Sequence, residues 1–385
     1  MKILQVTDTL SAKGGGPPMV ITRLAAAQAA LGHNVTLYCY QTPPGDAESP
    51  TDDRRAQGRL HQARLVRGGR LERVLPRGAM RDLSRVVSGY DVVHLHGVWY
   101  PICLAAARAA QAAGVPYVLA PHGMLDPWAL SEKALKKKVF LALAYRAMVN
   151  RASLIHALSD YEAQSIGALG YRPPVATIPN GVFLDEIDPL PLPGAYFAAH
   201  PELRGEPFVV FLSRLHPVKG LDILVEAFAI VVRRVPGARL VVIGPDWGAE
   251  ADLRARARTL GVADRVHLVG PAYGKEKFAA MVDAACFCLP SKHEAFSVAI
   301  VEALAAGCPV VISEQCHFPQ VQSEGAGLCV VRTPEAVAEA LTHLLAEPTA
   351  RGMMGCAGRR LVEARYTWER VAELSIRHYE QVVRQ

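Results

Sequence analysis

Residues 291–311 read S-K-H-E-A-F-S-V-A-I-V-E-A-L-A-A-G-C-P-V-V. Glu294 and Glu302 stand eight positions apart, and the second falls inside a short helix pattern of small and apolar residues. The small-residue step Ala305-Ala306-Gly307 follows, and then a β run from Pro309 to Ile312. A loop, a short helix and a buried strand in so few residues form one repeat of a parallel α/β sheet. An acid on the loop can face a sugar, and a second acid one or two helical turns on can hold ribose hydroxyls. The helix N-terminus between them aims unpaired N–H groups at a diphosphate. A plain reading, a helix-start Glu and an exposed helical Glu, leaves the packed turn Ala295-Phe296-Ser297 unexplained.

The same alternation runs through the whole chain. Its 385 residues suffice for two α/β domains, and 51% hydrophobic with 20% charged residues is the balance of a packed globular protein. In the first half, Ile3 to Thr7, Val35 to Tyr40, Asp91 to His96, Pro116 to Ala120, Ser153 to Leu158 and Val175 to Ile178 read as short buried strands separated by helical patterns. Pro189, Pro191 and Pro193 suggest a stiff linker. Beyond it, strands are expected at 208–213, 239–243, 266–269, 286–289, 310–312 and 329–331, with a helix over 221–234 and a mainly helical C-terminal stretch. The fold class is therefore α/β, two doubly wound Rossmann-like domains. Ligands of such sheets sit outside the carboxyl ends of the strands, so one interdomain cleft is expected. The boundaries are 1–185, a linker over 186–206, 207–365, and a C-terminal helix over 366–385 that packs back on the first domain.

Charge and cysteine usage narrow the class. Through Leu190 the chain carries 21 Lys and Arg against 15 Asp and Glu, and the remainder is balanced at 21 each, so the net +6 belongs to the first half. Arg64, Arg67, Arg70, Arg73, Arg77, Arg81 and Arg85 form one basic cluster, and Lys133, Lys136, Lys137 and Lys138 another. Both fit a solvated helix face or a patch that meets anionic lipid head groups. Few aromatic residues interleave them, which disfavours nucleic acid. None of the eight cysteines forms C-x-x-C, so reduced core thiols are expected. No apolar run reaches the 18 residues of a bilayer span, and M-K-I-L-Q-V-T-D reads as a first strand. The expected location is cytoplasmic, with peripheral contact at the inner membrane face.

Four constellations carry candidate chemistry. Gly14-Gly15-Gly16, between the first strand and helix, fits either a backbone approach to phosphate or a plain turn. It is not G-x-G-x-x-G, and the second strand ends without an acid, so a dinucleotide site is poorly supported. Arg214 and Lys219 in S-R-L-H-P-V-K-G place a forked donor and a point charge on one strand-end loop, suited to a diphosphate leaving group. The pair Glu294 and Glu302 also resembles a glycosidase dyad, but no cluster of sugar-stacking aromatics accompanies it. His122, in A-P-H-G-M-L-D-P-W, sits on a tight strand-end loop where catalytic side chains are often displayed. His94 and His96 share one strand face; no third ligand at zinc spacing follows, so hydrogen bonding is the favoured reading over a metal pair. No D-x-D triplet occurs to hold a divalent ion against a diphosphate.

These residues together resemble the family-4 retaining glycosyltransferases of GT-B fold, over essentially the whole chain. E-A-F-S-V-A-I-V-E is similar to the family's E-x7-E signature, S-R-L-H-P-V-K-G to its phosphate-binding segment, and I-P-N-G-V, with Asn180 and Gly181, to the segment before the interdomain linker. P-H-G-M-L-D-P-W-A-L is similar to bacterial exopolysaccharide and capsule glycosyltransferases. The resemblance implies that Glu294 faces donor-sugar hydroxyls, Glu302 binds ribose, and Arg214 and Lys219 hold the diphosphate. Backbone N–H groups at Phe296, Ser297 and Val298 would assist, Gly15 and Gly16 would approach the phosphate, and His122 would contact the donor sugar near its anomeric centre. Ala295 and Ser297 stand where glycine is common in the family. The implied reaction is hexosyl transfer from a nucleotide-diphosphate sugar, with retention and without a metal or other cofactor. The expected acceptor is a lipid-linked glycan of bacterial surface polysaccharide or glycolipid synthesis. Two alternatives keep the same fold: a non-catalytic binding module and a nucleotide-sugar 2-epimerase.

Overall fold

The computed structural model describes residues 1–11, 16–41, 60–66, 69–131, 145–203 and 205–384. Gly14, Gly15, Arg67, Lys133, Lys136, Lys137 and Lys138 lie outside them, as do the side chains of Arg64 and Arg70. The chain divides into two compact units. One comprises Met1–Asn180 and Trp368–Gln385, the other Gly181–Thr367.

The first unit is built on β1 (Lys2–Val6), β2 (Asn34–Tyr40), β3 (Leu60–Val66), β4 (Val92–His96), β5 (Tyr117–Ala120), β6 (Leu154–Ala157) and β7 (Val175–Thr177). They form one parallel sheet in the order β3-β2-β1-β4-β5-β6-β7. Runs such as Ile3-Leu4 and Val92-Val93 are fully buried, as a parallel sheet with helices on both faces requires. The second unit repeats the plan with β8 (Phe208–Leu212), β9 (Arg239–Ile243), β10 (Val266–Gly270), β11 (Cys286–Leu289), β12 (Val310–Ser313) and β13 (Gly327–Val330). Its order is β10-β9-β8-β11-β12-β13. In each sheet the order reverses beside the unit's first strand, at β1/β4 and at β8/β11. Loops leaving the carboxyl ends of those neighbours diverge and open a crevice there.

Two features go beyond the sequence reading. The segment expected as a stiff linker over 186–206 also packs on the second unit. Tyr196 and Leu203 are buried with Phe208, and the Asp283 carboxylate accepts from the backbone N–H of Gly194 and Tyr196 at 2.6 and 2.8 Å. The prolines stiffen this segment, but buried aromatic area decides where it goes. β3 was also absent from the sequence reading, because its L-H-Q-A-R-L-V pattern lies within the basic cluster.

The helix Trp368–Val383 belongs to the first unit. It lies against the helix Gly16–Ala30, where the Gln28 amide donates to Ser375 Oγ at 2.9 Å and to the Tyr379 hydroxyl at 3.3 Å. The eight cysteines are free, and six of them are buried.

The small-residue step after Glu302 has a packing role. The helix Pro348–Arg365 crosses so closely that a Cβ on Gly355 would lie 2.2 Å from the Gly307 carbonyl oxygen. A Cβ on Gly358 would lie 2.8 Å from Leu304 Cδ2. Helix propensity alone says Gly355→Ala should stabilise by about 1 kcal/mol. Overpacking against a backbone carbonyl should instead make it destabilising by about 1–3 kcal/mol. The midpoint of urea unfolding decides the sign, and a rise would refute the close crossing.

Candidate functional site

In the second unit, two loops at the switch point are fastened to each other through backbone. The loop after β8 carries Arg214 and Lys219 and ends at Gly220, whose φ is +76°. A Cβ there would fall 1.9 Å from the Pro290 carbonyl oxygen, so only glycine permits the approach. The Lys292 N–H donates to the Val218 carbonyl at 2.7 Å. This contact brings Lys219 Nζ to 2.6 Å from Glu294 Oε1, with both side chains nearly buried. Ser291 Oγ donates to the same oxygen at 2.6 Å. The Glu294 N–H donates to the Gln315 carbonyl at 3.0 Å, tying in the segment after β12.

Arg214 is exposed and lies over the Trp247 ring, 4.5 Å from its centroid. Backbone fastens this pair too: Leu215 donates to the Pro245 carbonyl and Trp247 to the Leu215 carbonyl, at 2.9 and 3.0 Å. Glu302 lies on the helix Val298–Ala305, and its Oε1 accepts from Lys277 Nζ at 2.7 Å. That helix starts from Ser297, whose side chain makes no cap, so its first N–H groups are left for another acceptor. Ser297 has φ −102°, and Ala295 is not among the positive-φ residues, so neither position needs glycine. Phe296 packs beside Phe318 and Tyr366.

Of the sequence candidates, the structure therefore joins Lys219 to Glu294 directly. It seats Arg214 on Trp247 and Glu302 on Lys277. Ser291, Trp247 and Lys277 were not identified from sequence. Trp247 had a readable signal, since D-W-G follows β9 at a strand's carboxyl end.

In the first unit, Gly16 opens the helix Gly16–Ala30. His122 has a positive φ of 53° and precedes Gly123 at φ 76°. Glu162 holds this turn: its Oε1 accepts from Gly123 N–H at 2.6 Å and its Oε2 from Leu158 N–H at 2.7 Å. Ser159 caps the helix Asp160–Ala168 by accepting from Glu162 N–H, so S-D-Y-E was a capping signature legible in the sequence. Behind His122 lies a buried chain of polar groups. His122 Nε2 meets His96 Nδ1 at 2.9 Å, and His96 Nε2 meets Gln5 Oε1 at 2.5 Å. The Gln5 amide donates to Gln28 Oε1 at 2.7 Å. The Tyr379 hydroxyl meets His94 Nδ1 at 2.7 Å, His94 Nε2 meets His156 Nδ1 at 3.3 Å, and His156 Nε2 meets the Ile178 carbonyl at 2.7 Å. Among the described residues, no three His, Cys, Asp or Glu side chains are arranged to hold a metal ion.

Two sheets of this order with a cationic strand-end loop against an acidic one define a glycosyltransferase of GT-B architecture. Residues 15–181 match the glycosyl transferase 4-like domain, and residues 195–361 match glycosyl transferases group 1. The chain is 30% identical over 391 aligned positions to the GDP-mannose-dependent alpha-(1-6)-phosphatidylinositol monomannoside mannosyltransferase of Mycobacterium tuberculosis, covering 96% of each. It is also 30% identical to the D-inositol 3-phosphate glycosyltransferase of Actinosynnema mirum, over 79% of this chain and 76% of that one. Among solved structures, sucrose-phosphate synthase from Thermosynechococcus elongatus superposes with TM-score 0.78 at 22% identity, covering 99% of each chain. Anabaena Alr3699/HepE in complex with UDP superposes with TM-score 0.79 at 18% identity, covering 99% of this chain and 100% of that one. The protein belongs to the group 1, family-4 glycosyltransferases.

The histidine chain is electrically neutral. Burial and then the neighbouring His156 imidazole push His122 down to about 3, and burial pushes His156 down to about 4. Burial, followed by neighbouring imidazoles, holds His94 and His96 well below the ordinary 6.5. Glu162 moves the other way, raised by burial to about 7 against the opposing pull of its two backbone bonds. The two effects have opposite signs. Below pH 6.5 the unfolded chain takes up protons that the folded histidines refuse, so stability falls on acidification, by about 1.4 kcal/mol per pH unit for each histidine. Glu162 contributes most below its ordinary 4.5 and loses that contribution as pH rises toward 7. Four groups outweigh one. The first unit's urea midpoint should be lower at pH 5 than at pH 7, and an equal or higher midpoint at pH 5 would contradict buried neutral imidazoles.

Proposed function

We propose that the protein transfers a hexosyl group from a nucleoside diphosphate sugar to an acceptor hydroxyl, with retention at the anomeric carbon. The observation that carries this is the buried Lys219–Glu294 pair at the β8/β11 switch point, with Arg214 on the same loop. A buried ion pair adds little stability over an apolar pair, so two charges held there are best explained by a charged ligand. Lys219 and Arg214 would offset the charge that develops on the departing diphosphate. Glu294, with Oε1 engaged, would accept sugar hydroxyls at Oε2. Glu302, steadied by Lys277, would accept from the ribose. The uncapped N–H groups around Phe296, Ser297 and Val298 would meet phosphate oxygen, as would backbone at Gly15 and Gly16. His122 would offer a neutral acceptor to a sugar hydroxyl.

In the proposed step the bond from C1 to the phosphate oxygen breaks while the acceptor oxygen bonds to C1 on the same face. The acceptor's proton passes to the leaving phosphate. No metal ion is required, since the cationic side chains meet the diphosphate charge. The test incubates the protein with UDP- and GDP-hexoses, with and without a lipid-linked glycan, in the presence of EDTA. The readouts are nucleoside diphosphate release and the product's anomeric configuration. Acceptor-dependent release with retention is expected, and Lys219→Met should lower it by about 10²-fold or more. Release without acceptor would favour a 2-epimerase, and no release with any donor would favour a binding module.

The acceptor is proposed to be lipid-linked, in bacterial surface polysaccharide or glycolipid synthesis, as the phosphatidylinositol named for the mycobacterial relative suggests. The helices Arg70–Val74 and Arg77–Val86 support this. They and the turn between them expose Leu71, Val74, Leu75 and Met80 beside Arg77, Arg81 and Arg85, which recur every fourth residue. Apolar side chains that enter an interface, flanked by cations, suit an anionic membrane surface. Arg73 is instead engaged by Asp8 at 2.5 Å. No helix among the described residues is long and apolar enough to cross a membrane. Affinity for anionic vesicles in co-sedimentation should fall by about 10²-fold or more when Arg77, Arg81 and Arg85 are changed to Glu, at about 1 kcal/mol per cation. Unchanged sedimentation would remove this surface from the proposal.

A further inference from the structure

The buried polar chain of the first unit has a direction, which its end fixes. The Ile178 carbonyl can only accept, so His156 Nε2 carries a hydrogen. A neutral His156 then has a lone pair on Nδ1, and His94 Nε2, 3.3 Å away, must donate to it. A neutral His94 in turn leaves Nδ1 as an acceptor, so the Tyr379 hydroxyl donates to it at 2.7 Å. The Tyr379 oxygen now accepts, which turns the NH2 end of Gln28 toward it. A second anchor agrees: Ser375 Oγ donates to the Ala372 carbonyl at 2.8 Å and so accepts from Gln28. Gln28 Oε1 therefore faces Gln5 and takes a hydrogen from the Gln5 amide. Gln5 Oε1 then faces His96, whose Nε2 must donate. His96 Nδ1 is left to accept, so His122 Nε2 donates to it at 2.9 Å.

We infer that this chain, running from the Ile178 carbonyl through the C-terminal helix to the strand-end loop, fixes His122 in one tautomer, with hydrogen on Nε2 and the lone pair on Nδ1. No step depends on how the amide groups were oriented, because each follows from its neighbour. Tyr379, Gln28, Gln5 and His96 are positioning residues for His122. Tyr379 reaches it only through other side chains. The Nδ1 lone pair makes His122 an acceptor for a hydroxyl at the low end of the pH range as well as at neutrality. Its value to catalysis rests on the reading that His122 meets a sugar hydroxyl; the tautomer itself does not.

Ring nitrogen NMR of the full chain labelled with 15N-histidine tests the inference without any activity. His122 is assigned by its loss in His122→Gln. In the wild type a single tautomer is expected, unprotonated at Nδ1 and protonated at Nε2. A protonated Nδ1, or a mixture, overturns the inference. Gln5→Met removes the acceptor of His96 Nε2 and frees the His96–His122 pair to reverse. It should convert His122 to a mixture and lower kcat for transfer on the order of tenfold or more. Should Gln5→Met unfold the first unit, Gln28→Met interrupts the same chain on the His122 side of both anchors. A folded variant that keeps the single wild-type tautomer in both cases also overturns the inference. A wild-type spectrum as expected, with full transfer in His122→Gln, would leave the tautomer standing and remove only the proposed contact.

Discussion

The second unit turns on one contact, the approach of Gly220 to the Pro290 carbonyl. That approach, with the Lys292 N–H on the Val218 carbonyl, sets two loops from neighbouring strands against each other and lets the Lys219 ammonium reach the Glu294 carboxylate. Removing both ions from water is costly, and their mutual attraction, with the Ser291 hydroxyl, does little more than offset that cost. The pair is therefore poor material for stability and good material for a ligand, because each charge retains capacity beyond the other. A side chain at position 220 would separate the loops and leave two charges without a common place.

The two units share a strand order and differ in how they treat polarity at the switch point. The second concentrates full charges on loops. The first buries neutral groups that hydrogen-bond in sequence, with His94 opposite Gln5 in the β1–β4 register. Neutral partners can be buried at smaller cost, provided every donor finds an acceptor. This explains how four imidazoles can be packed beside one another without a counterion: each is held uncharged by burial and given one donor and one acceptor role.

The sequence made the architecture legible because period and punctuation agree. Short apolar strands alternate with helices, and the helix at 221–234 ends where its pattern does. Glu294, Glu302, Arg214 and Lys219 were found because their spacing on loop and helix carries chemical meaning. The Lys219–Glu294 bond was not visible, since it depends on a backbone approach between residues 70 positions apart. Lys277 and Tyr379 were missed for the same reason: a lysine in K-E-K and a tyrosine on an amphipathic helix are ordinary until a distant partner is placed beside them. The packing of the segment 186–206 was not legible because proline spacing is a local signal, whereas the burial of Tyr196 against Phe208 is a tertiary one.

The first unit is interrupted in sequence, and its last piece is the helix Trp368–Val383. Ribosomal synthesis delivers β1 to β7 long before that helix, with the whole second unit emerging between them. Throughout that interval the groove along the helix Gly16–Ala30 lies open, and the Gln28 amide and His94 Nδ1 lack the Ser375 and Tyr379 partners that the last helix brings. The nascent first unit is thus hydrated at its centre and exposes an apolar stripe until translation has nearly ended. Chaperone contact and proteolysis should therefore act most strongly on this unit, and a premature stop before Trp368 would damage the start of the protein more than its middle.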